Sequence, residues 1–309
     1  MAVFLVTGGC GFIGSHLCEA LLRRGDAVRI LDDLSTGKVE NVPPQAEIVR
    51  GDVADAATVA AAMEGVAGCF HLAAVASVER SIGDWLGTHR TNLTGAITVF
   101  DAARRAGRSG AIPVVYASSA AIYGDCADLP IREDAPAKPR SPYGADKLGC
   151  ELHARVAAEA FGVPTVGLRL FNVYGPRQDP KSPYSGVISI FCDRLRHGRP
   201  IDIFGDGSQT RDFIFVADVA AAFLAAMDRP APAPAVYNIC SGTATSVLEL
   251  ARSIGEVCGR RPEMRFRPPR SGEIAHSRGD GTLAHDRLGL KTPVELRFGL
   301  AATLPPICA

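Results

Sequence analysis

The sequence predicts an α/β fold, a doubly wound parallel sheet joined to a smaller C-terminal lobe, on three observations. Short β-branched runs alternate with helix-like segments of 8 to 15 residues through the first half of the chain. A glycine-rich turn follows the first of these runs directly, and beyond about residue 170 proline breaks the alternation. Such alternation is the pattern of βα units, which wind into a parallel sheet with helices on its faces.

Residues 3–6, VFLV, are an apolar run of strand length, and residues 14–24 carry the first helix. Residues 28–31 read as the second strand and 47–49 as the third, followed by a helix over 56–63. A fourth strand over 68–72 precedes a helix over 92–106, and 114–117 is the fifth strand. Ser141 and Pro142 read as a helix start, the serine able to cap free N–H groups and the proline suited to a position whose N–H has no partner. The helical pattern continues through 148–161. Pro176, Pro180, Pro183 and Pro200 then break up the chain, and a helical stretch over 216–227 precedes a second proline cluster over 229–234. Residues 1–168, with a returning segment at about 212–242, are expected to form the parallel-sheet domain, and 169–211 with 243–309 the smaller lobe.

Composition narrows the possible functions. The 309 residues carry 33 Lys plus Arg against 33 Asp plus Glu, and 47% are hydrophobic, which argues against disorder. Proteins that bind nucleic acid usually show a basic excess, which is missing here. The nine cysteines are scattered, with no CxxC pair and no Cys/His cluster at zinc spacing, so no metal is expected and the thiols read as reduced residues of a cytoplasmic protein. The apolar stretch over residues 2–6 is too short for a signal-peptide core or a membrane span, so secretion and membrane insertion are poor readings.

The first strand runs into Thr7-Gly8-Gly9-Cys10-Gly11-Phe12-Ile13-Gly14, which satisfies GxxGxxG at 8, 11 and 14 and GxGxxG at 9, 11 and 14. Glycine is needed where the chain turns tightly, where backbone approaches a pyrophosphate and where the helix packs on the strand; the helix N-terminus then offers N–H groups and the positive end of its dipole. Eighteen residues after Gly14, at the end of the second strand, stand Asp32 and Asp33. A carboxylate there accepts hydrogen bonds from an adenosine ribose and repels a 2′-phosphate, which favours NAD over NADP and makes the domain a Rossmann domain. Asp52 and Val53, after the third strand, stand where they face an adenine, though Asp52 is equally placed to cap a helix.

Tyr143 and Lys147 fall one turn apart on one helix face. An ammonium and a positive nicotinamide ring both favour a phenolate, which suits Tyr143 to act as a general base. The strand over 114–117 runs into Ser118 and Ser119, and hydroxyls at a strand's C-terminal end lie where open α/β sheets bind ligands. His71, also at a strand end, reads as a structural histidine.

TGGCGFIGSH, LDDLSTG, HLAA, SSAAIYG, SPYGADK, LRLFNVYGPRQ and FGDGSQTRDFIFVADV, in this order over nearly the whole length, resemble the extended short-chain dehydrogenase/reductases. The resemblance is to the NAD-dependent epimerase/dehydratase family, and within it to the nucleotide-sugar 4-epimerases that act on UDP-glucose or UDP-N-acetylglucosamine. It implies tightly bound NAD, regenerated in each cycle, and a transient 4-keto sugar. By position, Tyr143 is then the base, Lys147 holds the nicotinamide ribose, and Ser119 hydrogen-bonds the C4 oxygen, with Ser118 beside it. Around NAD the resemblance places Gly8, Gly11, Phe12, Ile13 and Gly14; Asp32, Asp33, Ser35, Thr36 and Gly37; Asp52 and Val53; Leu72, Ala73 and Ala74; and Tyr143 and Lys147. Asn92 either supports that site or simply caps a helix. Around a UDP-sugar it places Ser77, Ser118, Ser119, Tyr143, Asn172, Arg211, Arg270, Glu273 and Ser277. Glu273 departs from the family's aspartate in the Arg-x-Gly-Asp element. Ser277 is small where relatives carry either tyrosine or a small residue, which leaves room for a 2-acetamido group.

Related dehydratases carry an Asp-Glu pair, and uronate decarboxylases a glutamate, just after the active-site hydroxyl; here Ala120-Ala121 follow it. A uronate 4-epimerase needs a cation that residues 184–187 do not supply. Another nucleotide-sugar epimerase, such as a uronate 4-epimerase whose cation comes from a different loop, and a one-way sugar reductase remain as alternatives; from a different class, so does a non-catalytic NAD-binding regulatory protein, although such proteins tend to lose the tyrosine or lysine that are both present here. The helices over 92–106 and 148–161 resemble those of a four-helix dimer interface, which implies a homodimer.

Overall fold

A computed structural model describes residues 1–107, 110–179, 186–229, 235–269 and 274–304. The first half contains β1 (Val3–Thr7), α1 (Phe12–Arg24), β2 (Ala27–Asp32), β3 (Glu47–Arg50), α2 (Ala56–Met63) and β4 (Gly68–His71). After these come α3 (Val78–Gly83), α4 (Trp85–His89), α5 (Gly95–Ala106), β5 (Val114–Ser119), α6 (Pro142–Phe161) and β6 (Thr165–Leu170). The second half adds β7 (Asn172–Tyr174), α7 (Val187–Arg196), β8 (Ile201–Phe204), β9 (Thr210–Phe215), α8 (Val216–Asp228) and β10 (Ala235–Ile239). It closes with β11 (Ala244–Ser246), α9 (Val247–Cys258), β12 (Met264–Arg267), α10 (Thr282–Leu288) and α11 (Leu296–Thr303).

Seven strands form one sheet in the order β10-β6-β5-β4-β1-β2-β3, every pair parallel. The order reverses between β1 and β4, and the crevice above such a reversal is where doubly wound sheets take their ligands. Side chains alternate across the strands, so Phe4 and Val6 join a core with α1 and α8 (Leu17, Leu21, Phe223), while Leu5 joins the opposite core with α2, α5 and α6 (Met63, Val99, Ala154). Burying both faces explains why these strands read as continuous apolar runs.

The second half builds a three-stranded sheet, β11-β9-β7, and a two-stranded one, β12-β8, over a separate core of Tyr174, Phe191, Ile203, Phe213, Leu250 and Leu300. β10 returns to the large sheet beside β6.

Two local features differ from the expected pattern. Helix begins at Phe12, not residue 14, because Gly11 takes the N-cap position. The helix expected over 92–106 is the last part of a helical run that starts at Trp85, capped by Asp84, and passes through a π-turn over Arg90–Thr94. Glycines at 87 and 95 and threonines at 88, 91 and 94 weaken the helical signal of that first part. The start of α6 is as anticipated: Ser141 Oγ accepts from Gly144 N at 3.1 Å, with Pro142 in the first turn.

Candidate active site

The dinucleotide turn is built from glycines with different tasks. Gly8 has φ +70°, and a Cβ there would sit 2.7 Å from Ala73 N, so only glycine lets the turn pass beside the end of β4. A Cβ on Gly14 would strike the Gly8 carbonyl and lie 2.8 Å from Gly9 Cα, so its absence lets α1 seat on the turn. No side chain caps α1, which leaves its first N–H groups facing the crevice for an anion.

Asp32 closes the turn from the β2 side. Its carboxylate accepts from Cys10 N and Leu34 N, both at 2.9 Å, and burial holds it above the usual carboxylate range against the pull of those bonds. Asp33 Oδ1 accepts from Ser35 N and Ser35 Oγ; Asp33, Ser35 and Thr36 are exposed, and Gly37 packs against the Asp32 carboxylate. Asp55, not Asp52, caps α2; Asp52 accepts from Ala54 N and pairs with Arg90. The Val53 side chain is buried in the core beside Gly95. A glycine cradle that a Cβ would fill, an uncapped helix N-terminus and a carboxylate at the end of β2 fit a dinucleotide with an unphosphorylated ribose.

The segment after β4 is fixed from two sides. Leu72 N donates to Thr7 O and Ala73 N to Thr7 Oγ1, while Thr7 Oγ1 lies 2.8 Å from His71 Nδ1. His71 is thus the structural histidine expected. Asn92 is no cap: inside the π-turn, it accepts from Val75 N at 2.7 Å and donates to Val75 O at 3.2 Å, which holds residues 73–77 in place. Ser77, buried, caps α3 by accepting from Arg80 N.

Tyr143 and Lys147 stand at the start of α6, beside the end of β5. A Cβ on Gly144 would lie 2.7 Å from Ala121 O, so this glycine lets the helix start close against the turn that follows Ser119. The buried Lys147 donates from Nζ to Ala117 O at 2.8 Å and lies 5.9 Å from the centroid of the half-buried Tyr143 ring. Ser119 Oγ accepts from Ala121 N, leaving its proton for another acceptor.

Ser118 does not belong with the substrate-facing groups. Alternation along β5 turns it to the α6 face with Val114 and Tyr116, where it is 2% exposed and donates to Glu151 Oε1 at 2.5 Å. Glu151 takes a two-pronged contact from Arg169, at 2.9 and 2.8 Å. Arg169 also donates to Tyr123 OH, and Tyr123 OH to Asn238 Oδ1 at 2.6 Å. Asn238 Nδ2 reaches Ile131 O and Asp280 O, so one buried polar chain links the end of β5 to the segment after Ser277.

The proposed sugar-nucleotide side is assembled around β7 and β9. Asn172 is exposed at the start of β7 and pairs in register with Phe213 of β9. Arg211, half-buried on β9, donates to Thr210 O. Ser277 N donates to the same carbonyl at 3.1 Å, which brings Ser277 beside Arg211. Asp212, wholly buried, fastens that segment by accepting from Gly279 N, Ser241 N and Gly242 N; burial raises its pKa despite these bonds. Arg270, Glu273, Tyr184 and Ser185 lie outside the described residues. Sequence reasoning missed Gly144, Asp212 and the Glu151–Arg169 pair; of these, only the glycine one residue after Tyr143 left a local signal.

Residues 4–240 match the model of the NAD dependent epimerase/dehydratase family. The chain is 40% identical over 307 residues to a UDP-glucose 4-epimerase of Mycolicibacterium smegmatis, covering 97% of this chain and 96% of the relative. It is also similar to the Thermus thermophilus UDP-glucose 4-epimerase solved in complex with NAD (TM-score 0.90, 35% identity, 99% and 98% of the two chains). A third similarity is to the UDP-N-acetylglucosamine 4-epimerase of Methanobrevibacter ruminantium in complex with UDP-N-acetylmuramic acid (TM-score 0.92, 34% identity, 98% and 97%).

Proposed function

The chain belongs to the NAD-dependent epimerase/dehydratase family, and from that membership we propose that it is an NAD-dependent 4-epimerase of UDP-hexoses. It interconverts UDP-glucose and UDP-galactose and accepts the UDP-GlcNAc and UDP-GalNAc pair. The observation that carries this reading is the meeting of Ser119, Tyr143 and Lys147 at the end of β5, beside a turn shaped for a dinucleotide.

When bound, NAD would supply the acceptor and donor of the sugar C4 hydride, so the cycle would carry no net redox change. Tyr143 takes the proton of the C4 hydroxyl and gives it back. Ser119 hydrogen-bonds the C4 oxygen with the proton that Ala121 N leaves free. Lys147 binds the nicotinamide ribose and sets a positive charge beside the phenol ring. Gly8, Gly11 and Gly14, with the N–H groups of Phe12 and Ile13, hold the pyrophosphate, while Asp32 and Asp33 take the adenosine ribose. Leu72, Ala73 and Ala74, fixed through Asn92, wall the nicotinamide half. Asn172, Arg211, Arg270 and Glu273 hold the UDP moiety, and the small Ser277 leaves space at C2. Ala120 and Ala121 open the turn after Ser119, so no carboxylate stands there to expel water from the sugar, which favours epimerisation over dehydration.

Residues 1–168 with 212–242 then serve NAD, and 169–211 with 243–309 serve the sugar nucleotide. Leu152, Val156 and Phe161 on α6 are each more than half exposed, with Ile97 of α5 nearby, an apolar face that supports a homodimer through these helices. No helix among the described residues is long and apolar enough to cross a membrane. The eight described cysteines are unpaired and six are buried, which supports a reducing, cytoplasmic setting. The test of the function is interconversion of a panel of UDP- and dTDP-sugars; turnover confined to dTDP-sugars, or none at all, would refute it.

A further inference from the structure

The chain leaving β7 runs back to the dinucleotide turn and is pinned there. Arg177 Nη1 donates to Asn41 O at 2.7 Å, and Nη2 lies 2.9 Å from His16 Nδ1 and 3.0 Å from Glu19 Oε2. Pro176 O lies 3.0 Å from His16 Nε2, and Lys38 Nζ donates to Asp179 Oδ2 at 2.9 Å. Residues 176–179 are thereby joined to α1 and to residues 38–41.

The chemistry of the contacts fixes the state of the histidine. Guanidinium has donors only, so Nδ1 of His16 must be the lone-pair nitrogen. Nε2 then carries the proton and donates it to Pro176 O. Arg177 itself holds φ +68°, a region that a non-glycine residue occupies only when its surroundings over-determine it.

The partners of Arg177 belong to two walls of one turn. His16 and Glu19 are on α1, and the His16 ring meets the Phe12 ring edge-on at 6.0 Å, one turn from the helix start. Asn41 is on the other wall: its Nδ2 donates to Cys10 O at 3.2 Å and Lys38 N to the same carbonyl at 2.9 Å, while Cys10 N donates to Asp32. Residues 38–41 and α1 flank the turn along which a dinucleotide would lie, and Arg177 is bonded to both. Parting them breaks the fork of Arg177 and strips Glu19 of its partner. Such charge-assisted bonds are stronger than neutral ones.

We infer that Arg177 is a positioning residue for the cofactor, a clasp from the loop behind β7 that holds both walls of the dinucleotide turn together and slows release of NAD. The inference rests on the resident-NAD reading above. It gives the arginine of the FNVYGPRQ stretch a part in the reaction, since a cofactor that is regenerated in each cycle would have to stay bound through it.

The test uses wild type, Arg177→Ala and Arg177→Lys, all purified without added NAD. NAD per protomer is measured after denaturation, and the dissociation rate of NAD from the native protein by a displacement chase. Wild type should hold near-stoichiometric NAD. Arg177→Ala should release it at least about ten-fold faster, equivalent to about 1.4 kcal/mol. Arg177→Lys should fall between, because lysine cannot fork to both walls; if the alanine variant fails to fold, the lysine variant carries the comparison. Saturating NAD should restore kcat with KM for the sugar nucleotide unchanged. A dissociation rate within about two-fold of wild type, worth less than about 0.5 kcal/mol, overturns the inference. So does a loss of kcat that saturating NAD leaves uncorrected, which would make Arg177 a purely structural residue. Wild type without bound NAD would instead overturn the resident-cofactor reading.

Discussion

Lys147 Nζ donates to Ala117 O at 2.8 Å, tying α6 to β5 two residues before Ser119. The same ammonium lies 5.9 Å from the centroid of the Tyr143 ring, so one buried charge is placed by the strand and shared with the helix that carries the tyrosine. Lys147→Met keeps the length of the side chain and removes the charge and the bond to Ala117 O. Turnover of UDP-galactose should fall by about 10²–10⁴, the usual scale for a lost acid–base partner. NAD content, measured on the same sample, should fall too. Turnover within about ten-fold of wild type would remove the lysine from the chemistry.

The buried Glu151–Arg169 pair separates stability from catalysis. Glu151→Gln leaves a buried guanidinium short of its counter-charge and should cost about 3–5 kcal/mol in chemical denaturation. Replacing both residues with apolar ones, Glu151→Leu with Arg169→Met, should recover most of that stability. It should not recover kcat, because Ser118 loses the acceptor that fixes its strand end and small displacements at a reacting centre cost up to about 10²-fold. A double variant with wild-type kcat would show that the pair serves folding alone.

In the proposed function, the small Ser277 is the residue that leaves room for a 2-acetamido group. Ser277→Tyr should lower turnover of UDP-GalNAc by about 10–200-fold or more and leave UDP-galactose turnover largely intact, since a bulky ring fills the space at C2. Competition between the two substrates in one reaction reads the ratio directly. An unchanged ratio would mean that the 2-acetamido group lies elsewhere.

His71 makes stability depend on pH. Burial, with the Lys147 charge adding to it, lowers the imidazole from 6.5 to about 3. Below 6.5 the unfolded chain therefore binds more protons than the folded one. The contribution of the neutral ring is complete above that value and is lost as pH falls toward about 3. Urea unfolding at about pH 5.5 should give a free energy about 1 kcal/mol below that at about pH 7 from this group, and His71→Gln should remove that part of the slope. A slope unchanged in the variant would mean that His71 titrates normally.

The fold was legible because its causes are local. Apolar runs such as residues 3–6 and the glycines at 8, 11 and 14 mark parallel βα units whichever residues pack on them. The helix start at Ser141-Pro142 was legible for the same reason. Ser118 shows the limit. Its place next to Ser119 suggested a shared role, but alternation along a strand sends neighbours to opposite faces, and its acceptor, Glu151, is 33 positions away. Asn92 read as a cap or a cofactor support, and what it does depends on Val75, 17 positions upstream. The clasp of Arg177 on His16 spans 161 positions. Such pairings follow from topology, and no short motif records them.

The central claim, a 4-epimerase that works through Tyr143 with its own NAD, is tested most directly by Tyr143→Phe. Conversion of UDP-galactose to UDP-glucose is followed without added cofactor, and NAD is released from the same sample by denaturation. Wild type should convert the substrate, whereas the variant should retain NAD and lose conversion by about 10²–10⁴ or more. A variant that keeps its NAD and converts UDP-galactose at the wild-type rate would contradict the account.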